Sequence, residues 1–329
     1  MASPDWSPDE SLPGYERLAL SFPADYDGPV VATLVRRRPA APSGRAVLYL
    51  HGFVDYFFQA HVADRFVERG DAFYALDLRK HGRSLLPGQH ANFCKDVGEY
   101  DADVTAAIDR IVAEEGDARL LLLGHSTGGL VAALYAAGGA RRARIGAVAL
   151  NSPFLDFNVT APERAALALV SAVGRVLPFM TVPFAFAPAY GESASRTRHG
   201  EWDVDARWKP VAGYPVYAGW LRAMRRAHRR ARAGLGLPMP VLVLHSDRSI
   251  RRWRWEERLA DVDAVLDVEH MRTIGPTLGA RVTLAEVSGA MHDVMLSRSA
   301  VREVALARLL AWCEDVLLTP TRGAERRRG

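Results

Sequence analysis

Cysteine is almost absent. Cys94 and Cys313 are the two in the chain. They lie far apart and outside any Cys-x-x-Cys or Cys/His cluster, which argues against a disulfide framework and a structural zinc site. Free thiols in a reducing cytoplasm are the expectation. Lysine is nearly missing too. It occurs at Lys80, Lys95 and Lys209, so arginine carries almost all of the 42 Lys and Arg charges. With the abundant alanine, this imbalance reads as high-GC codon usage and not as a nucleic-acid footprint. The densest group is Arg222, Arg225, Arg226, Arg229, Arg230 and Arg232. It reads as a solvated helix face, with attraction to anionic lipid or phosphate as the alternative. No nucleic-acid partner is expected. Long apolar runs are missing as well. Segment 165–190 is interrupted by Arg175, Pro178, Pro183 and Pro188, whereas a membrane-spanning helix needs about 20 apolar residues in a row. The opening MASPDWSPDE is acidic and proline-rich. It lacks the positive and apolar regions of a secretory signal, so a cytoplasmic location is expected.

What is present has the balance of a globular protein. The 329 residues are 49% hydrophobic and 24% charged, with a net charge of +4. A chain this long buries a full core without staples. Its length suits two ordinary domains, or one large α/β domain with an insertion. No internal repeat is visible. Eight strands are expected at 15–22, 30–36, 46–50, 72–77, 119–123, 145–151, 241–245 and 282–287. The first two join through Asp27-Gly28 and read as an antiparallel pair. The other six are apolar on both faces, as in a covered parallel sheet.

Helical periodicities fall between the strands. Phe58, Val62 and Phe66 form one stripe, stopped by Gly70. Val104, Ile108 and Ile111 form another, after the acidic start Asp101 and Asp103. The last runs through Val301, Val304, Ala305, Leu309, Trp312 and Val316. This alternation predicts an eight-stranded, mostly parallel sheet flanked by helices. From Phe154 to Leu237 the rhythm breaks. Eleven aromatics and several prolines, without a core strand, predict a helical cap inserted after the sixth strand. The expected organisation is core 1–153, cap 154–237, core 238–319 and a disordered basic tail 320–329. The cap aromatics read mostly as packing residues, some lining a pocket.

Chemistry concentrates at Gly124-His125-Ser126-Thr127-Gly128, followed by Gly129. The G-x-S-x-G pattern is weak alone and needs a strand before it and a helix after it. Residues 120–123 read as a buried strand and 130–137 as a helix, so the context fits. Such an elbow exposes the serine hydroxyl, and glycines flank it because side chains would clash in the sharp turn. A serine hydroxyl is a poor nucleophile near neutral pH. It needs a base within hydrogen-bond reach, and the base needs an orienting carboxylate. On such an elbow the chain order is serine, acid, histidine.

His292 follows the last strand in Gly289-Ala-Met-His292-Asp293 and is the candidate base. His51, His81 and His125 precede the acid; His245 sits at a strand end and His270 in a helical stretch. Asp263 lies 29 residues before His292, a length that one helix and one strand fill. It is preferred to Asp247, just past strand 241–245, with Asp261 and Asp267 behind both. On this reading 246–262 is an insertion, packed down by Trp253 and Trp255. A tetrahedral intermediate needs two N–H donors. The backbone of Thr127 supplies one. The backbone of Phe53, in His51-Gly52-Phe53 after strand 46–50, supplies the other, and His51 braces that loop by hydrogen bonding.

The His51-Gly52 turn, the stretch Asp77-Leu-Arg-Lys-His-Gly82-Arg-Ser84, the elbow GHSTGG and Gly289-x-x-His292 follow one another in a familiar order. Together they resemble the α/β-hydrolase fold, in its monoacylglycerol lipase and lysophospholipase-like branch, over nearly the whole chain. In that family Asp77–Ser84 shapes the sheet edge and is not catalytic. Asp263-x-Val-Leu-Asp-Val-Glu looks like its acid loop, and the insertion ahead of it is a departure. Lids in that branch often meet membranes, so the resemblance leaves transient membrane-surface contact through 165–190 open, while a packed cap helix is the preferred reading of that segment.

The expectation is a serine carboxylic-ester hydrolase with no cofactor and no metal. Ser126 attacks an apolar acyl ester, such as a monoacylglycerol or lysophospholipid, and His292 takes its proton. Asp263 orients the imidazole, Phe53 and Thr127 hold the oxyanion, and water releases an acyl-enzyme. A thioesterase or acyltransferase would use the same triad. A serine aminopeptidase would also need a cap carboxylate for the substrate amine; Glu192, Glu201, Asp203 and Asp205 are available. A non-catalytic binding protein of the same fold is the rival from another class.

Overall fold

A computed structural model describes residues 5–183, 189–252 and 254–318. The tail 320–329, Trp253, and the cap aromatics Phe184 and Phe186 lie outside the described residues. The strands are β1 (Ser7–Pro8), β2 (Glu16–Asp25), β3 (Gly28–Arg37), β4 (Arg45–Leu50), β5 (Ala72–Asp77), β6 (Arg119–His125), β7 (Ile145–Asn151), β8 (Thr181–Val182), β9 (Val216–Tyr217), β10 (Val241–Ser246) and β11 (Val282–Val287). The helices are α1 (Ala60–Val67), α2 (Tyr100–Glu115), α3 (Thr127–Gly138), α4 (Ala161–Val173), α5 (Ala189–Ala194), α6 (Ala218–Arg232), α7 (Val268–Ile274) and α8 (Ser299–Leu318).

One sheet runs β1-β2-β3-β5-β4-β6-β7-β10-β11. It has nine strands where the sequence predicts eight. The extra one, β1, pairs antiparallel with β2 through Ser7–Arg17 and Pro8–Glu16. Two residues have no periodicity to read. A distant contact holds them instead: the Asp9 carboxylate accepts from the Arg83 guanidinium at 2.7 Å. The β2–β3 hairpin and the β3–β5 pair are antiparallel, and β5, β4, β6, β7, β10 and β11 are parallel.

Alternate side chains of each strand point to opposite faces, which divides the core in two. Leu48, Leu122, Leu150 and Val243 pack beneath α2, α3 and α7. Val47, Leu121, Ala149 and Leu244 pack beneath α1 and α8. Between β7 and β10 the chain leaves the sheet and forms α4, the small β8–β9 pair, α5 and α6. Thr160 and Glu163 form a capping box that starts α4. The buried side of α6 carries Trp220, Leu221, Met224, Ala227 and His228.

Two buried histidines make stability depend on pH. Burial pushes the His81 and His228 imidazoles down to about 3. In the unfolded chain a histidine binds its proton near 6.5 (about). Between those values the unfolded state holds more protons, so stability falls as pH falls through this window. The slope is at most about 1.4 kcal/mol per pH unit for each histidine. Urea unfolding curves at pH 7.5 and pH 5 are expected to show a lower midpoint at pH 5, and His228→Leu a shallower dependence. Equal midpoints in the wild type would contradict the buried neutral imidazoles.

Candidate active site

Four parallel strands deliver their carboxyl ends to one edge of the sheet. β6 ends at the elbow. Ser126 sits there with φ of 52° and ψ of −117°, in the region that L-residues avoid. Its N–H donates to the Asn151 carbonyl at 3.0 Å and its carbonyl accepts from Phe154 at 2.9 Å. The glycines leave no room for side chains. A Cβ at Gly128 would stand 2.2 Å from the His51 carbonyl oxygen, and one at Gly124 2.5 Å from that of Gly128. Ser126 is therefore pressed between β4 and β7, with its hydroxyl turned off the sheet.

The His292 Nε2 lies 3.0 Å from the Ser126 hydroxyl, and its Nδ1 lies 2.9 Å from Asp263 Oδ2. The other Asp263 oxygen, Oδ1, accepts from the N–H groups of Val265 and Leu266 at 2.8 and 2.7 Å. Asp263 and His292 are buried, and Ser126 is 7% exposed. The insertion 246–262 folds back onto the acid: Ile250 N–H donates to the Asp263 carbonyl and Asp263 N–H to the Arg248 carbonyl, both at 3.0 Å. Trp255 of the insertion stacks on His199 of the cap segment at 3.6 Å.

The other candidate acids stand elsewhere. Asp247 is partly exposed and accepts from Gly289 N–H at 3.3 Å, a brace on the histidine loop. Asp267 caps α7 by accepting from Glu269 N–H, and Asp261 pairs with Arg298 at 3.4 Å. His51 does brace its loop. Its Nδ1 contacts the Gly52 carbonyl at 2.8 Å, and its Nε2 accepts from Leu78 N–H at 3.0 Å. Phe53 lies on that loop, its ring 4.3 Å from Trp220. Thr127 opens α3, in a first turn whose N–H groups lack intrahelical acceptors.

Several supporting residues have no signal in the sequence pattern. The Asp293 carboxylate accepts from Asn151 at 2.6 Å and from Gln59 at 3.3 Å. That pins the His292 loop to the end of β7. The His125 imidazole lies tilted beside His292 with centroids 4.9 Å apart, and burial holds its pKa down. Asp55 and Lys209 form a buried pair at 2.7 Å.

The Ser126 hydroxyl opens into a cavity of about 100 Å³ whose walls include Phe53, Thr127, Tyr190, Val265, Leu266 and Lys209. Phe154, Val265 and Leu266 also wall a larger hollow of about 510 Å³, lined by Val159, Leu167, Val170, Val182 and Leu221 and, among polar residues, by Asn158, Glu163, Arg251 and Arg252. Among the described residues, no three of His, Cys, Asp or Glu gather in a way that could hold a metal ion.

A mostly parallel sheet with this strand order, its elbow and loops gathered at the carboxyl ends, is the fold of the α/β hydrolases. Solved structures agree. Monoglyceride lipase from Saccharomyces cerevisiae, a soluble variant with a substrate analogue, superimposes with a TM-score of 0.64 at 13% identity, over 90% of this chain and 95% of that one. The monoacylglycerol lipase of Paleococcus ferrophilus gives 0.60 at 23% identity, over 85% and 97%. The family described as serine aminopeptidase, S33, matches residues 41–297, and the chain belongs to it. It is also 29% identical to the monoacylglycerol lipase of Mycolicibacterium smegmatis over 218 residues, 63% of this chain and 70% of the relative. Among the described residues no helix is long and apolar enough to cross a membrane.

Proposed function

We propose that this protein is a serine ester hydrolase that cleaves esters of apolar acyl groups, of the monoacylglycerol or lysophospholipid kind, through an acyl-enzyme. The observation that carries the reading is the unbroken hydrogen-bonded line from Ser126 through His292 to Asp263 at the floor of a largely apolar cavity. His292 takes the Ser126 proton as the hydroxyl attacks the acyl carbonyl. Asp263 holds Nδ1 protonated and offsets the imidazolium charge. The N–H groups of Phe53 and Thr127 receive the oxyanion. His292 then passes the proton to the leaving alcohol, and water repeats the sequence to free the acid.

The apolar side of the neighbouring hollow, with Leu167, Val170 and Leu221, gives an acyl chain somewhere to lie. Segment 154–237 acts as the cap over it, and its outer side supports transient contact with a lipid surface. Leu169, Val176 and Leu177 stand 69%, 77% and 56% exposed there.

The family description raises an aminopeptidase reading, which needs a carboxylate for the substrate amine. Glu201, Asp203 and Asp205 are instead engaged with Arg302, Arg196 and Arg207, and Glu192 does not line the cavity. Asp55 does line it, but Lys209 neutralises its charge.

Hydrolysis of p-nitrophenyl esters from two to sixteen carbons, beside aminoacyl p-nitroanilides, tests the choice. Ser126-dependent turnover that is greatest on medium or long acyl chains is expected. Turnover confined to the anilides would replace the esterase reading by the peptidase one. The absence of any Ser126-dependent turnover, together with no labelling by a fluorophosphonate, would favour a binding protein.

A further inference from the structure

The loop that carries Phe53 holds a conformation its sequence does not favour. Val54 has φ of 50°, and a β-branched residue in that region is a genuine outlier. Such a residue persists only when its surroundings over-determine it. Here the loop is gripped from two sides. From the core, Asn92 Oδ1 accepts from Val54 N–H at 2.8 Å. From the cap segment, the Lys209 ammonium donates to Asp55 Oδ1 at 2.7 Å and approaches the Val54 carbonyl at 3.5 Å. The second Asp55 oxygen accepts from Gly52 N–H at 3.2 Å. The Asp55 side chain thus closes the loop over Gly52, Phe53 and Val54, and Lys209 fixes that side chain from across the cavity.

The same piece of cap is seated on the loop by further contacts. The Tyr56 hydroxyl accepts from Asp205 N–H at 2.9 Å, Lys209 N–H donates to the Asp205 carbonyl at 2.8 Å, and Trp208 packs edge-on against Tyr56. Lys209 and Asp55 are both buried. The ammonium beside Asp55 helps hold its carboxyl below the ordinary carboxylate range, against the opposing effect of burial. In a chain with three lysines and abundant arginine, a compact ammonium stands at this one pocket position; a planar guanidinium would demand a different set of acceptors.

We propose that Lys209 is a positioning residue. Through Asp55 it holds the Phe53 N–H aimed at the developing oxyanion, so that the oxyanion site is complete only while the cap segment is seated. Lys209 touches neither the nucleophile nor the base and acts on the reaction through the loop. This rests on the ester-hydrolase reading and adds a dependence on the cap that the triad alone does not require.

The test uses the full chain and compares the wild type with Lys209→Met, Asp55→Asn and the double variant. Each is measured in steady state with a p-nitrophenyl ester and for inhibition by an alkyl trifluoromethyl ketone, whose adduct carries an oxyanion. Misplacing a reacting group by an ångström costs on the order of 100-fold. Lys209→Met is therefore expected to lower kcat about 10- to 100-fold, with KM changed less than about 3-fold. The ketone should weaken by the factor that kcat/KM loses. The double variant should be no worse than the more damaged single one, because the two side chains act as one unit.

Folded Lys209→Met with wild-type kcat overturns the proposal, as does a loss confined to KM. If Lys209→Met does not fold, the nearly isosteric Asp55→Asn decides by the same two readouts. Failure of the underlying reading looks different. The wild type itself would then show no Ser126-dependent ester turnover, and this inference would fall with it.

Discussion

Ser126→Ala is expected to lower kcat on any ester substrate by about 10⁴- to 10⁶-fold. The substitution removes one oxygen and little else. Alanine keeps the Cβ, so the backbone at φ of 52° is neither relieved nor further strained. The backbone bonds from Ser126 to Asn151, Phe154 and Leu130 remain. The cavity, the loop carrying Phe53 and the start of α3 stay in place, so substrate still binds and KM changes little. What disappears is the hydroxyl oxygen that lies 3.0 Å from His292 Nε2, the nucleophile of the proposed reaction. The measurement is steady-state hydrolysis together with thermal unfolding and fluorophosphonate labelling. A folded variant retaining a tenth of wild-type kcat would mean that another group does the chemistry.

Asp263→Asn is expected to cost about 10³- to 10⁴-fold in kcat. The reason can be read from the acid's two oxygens. Oδ1 accepts from two backbone N–H groups, at Val265 and Leu266, so an asparagine must place its carbonyl there. Its amide NH₂ then faces His292 Nδ1, which must accept instead of donate. That leaves the proton on Nε2, the nitrogen that in the proposed mechanism receives one from Ser126. Asp247→Asn serves as the control. Asp247 contacts Gly289 on the histidine loop, and its loss is expected to cost less than about 10-fold. A reversed order, with Asp247→Asn inactive and Asp263→Asn nearly normal, would reassign the acid.

Much of the sheet is legible in the sequence because parallel strands declare themselves twice. Residues 72–77, 145–151 and 282–287 fall within their expected bounds as short runs of strand-forming residues between turn signals. Ser126 is legible because the elbow imposes glycines on its neighbours, and His292 because it follows the last strand. For the acid, a count of the chain left to build one helix and one strand prefers Asp263 to Asp247, and Asp263 is the one that stands beside His292. The supporting cast is not legible for a physical reason. Asp55 and Lys209 are 154 residues apart, and Asn151 and Asp293 are 142 apart. A polar contact between loops obeys no periodicity and has no local composition. The same holds for β1, next to which Asp9 accepts from Arg83, 74 residues away.

That short first strand also decides how the sheet meets its surroundings. It pairs two residues of β2, and beyond them β2, ten residues long, is itself the border of the sheet. Such a border is a template on which a second molecule can add a strand. Ser7 and Pro8 cover one end of it, and the proline has no N–H to offer a newcomer. Glu10 stands beside them, paired with Arg17 of β2 at 2.7 Å, and adds charge to the approach. The buried Asp9–Arg83 pair follows directly on this strand and anchors Ser7 and Pro8 at that end of the border.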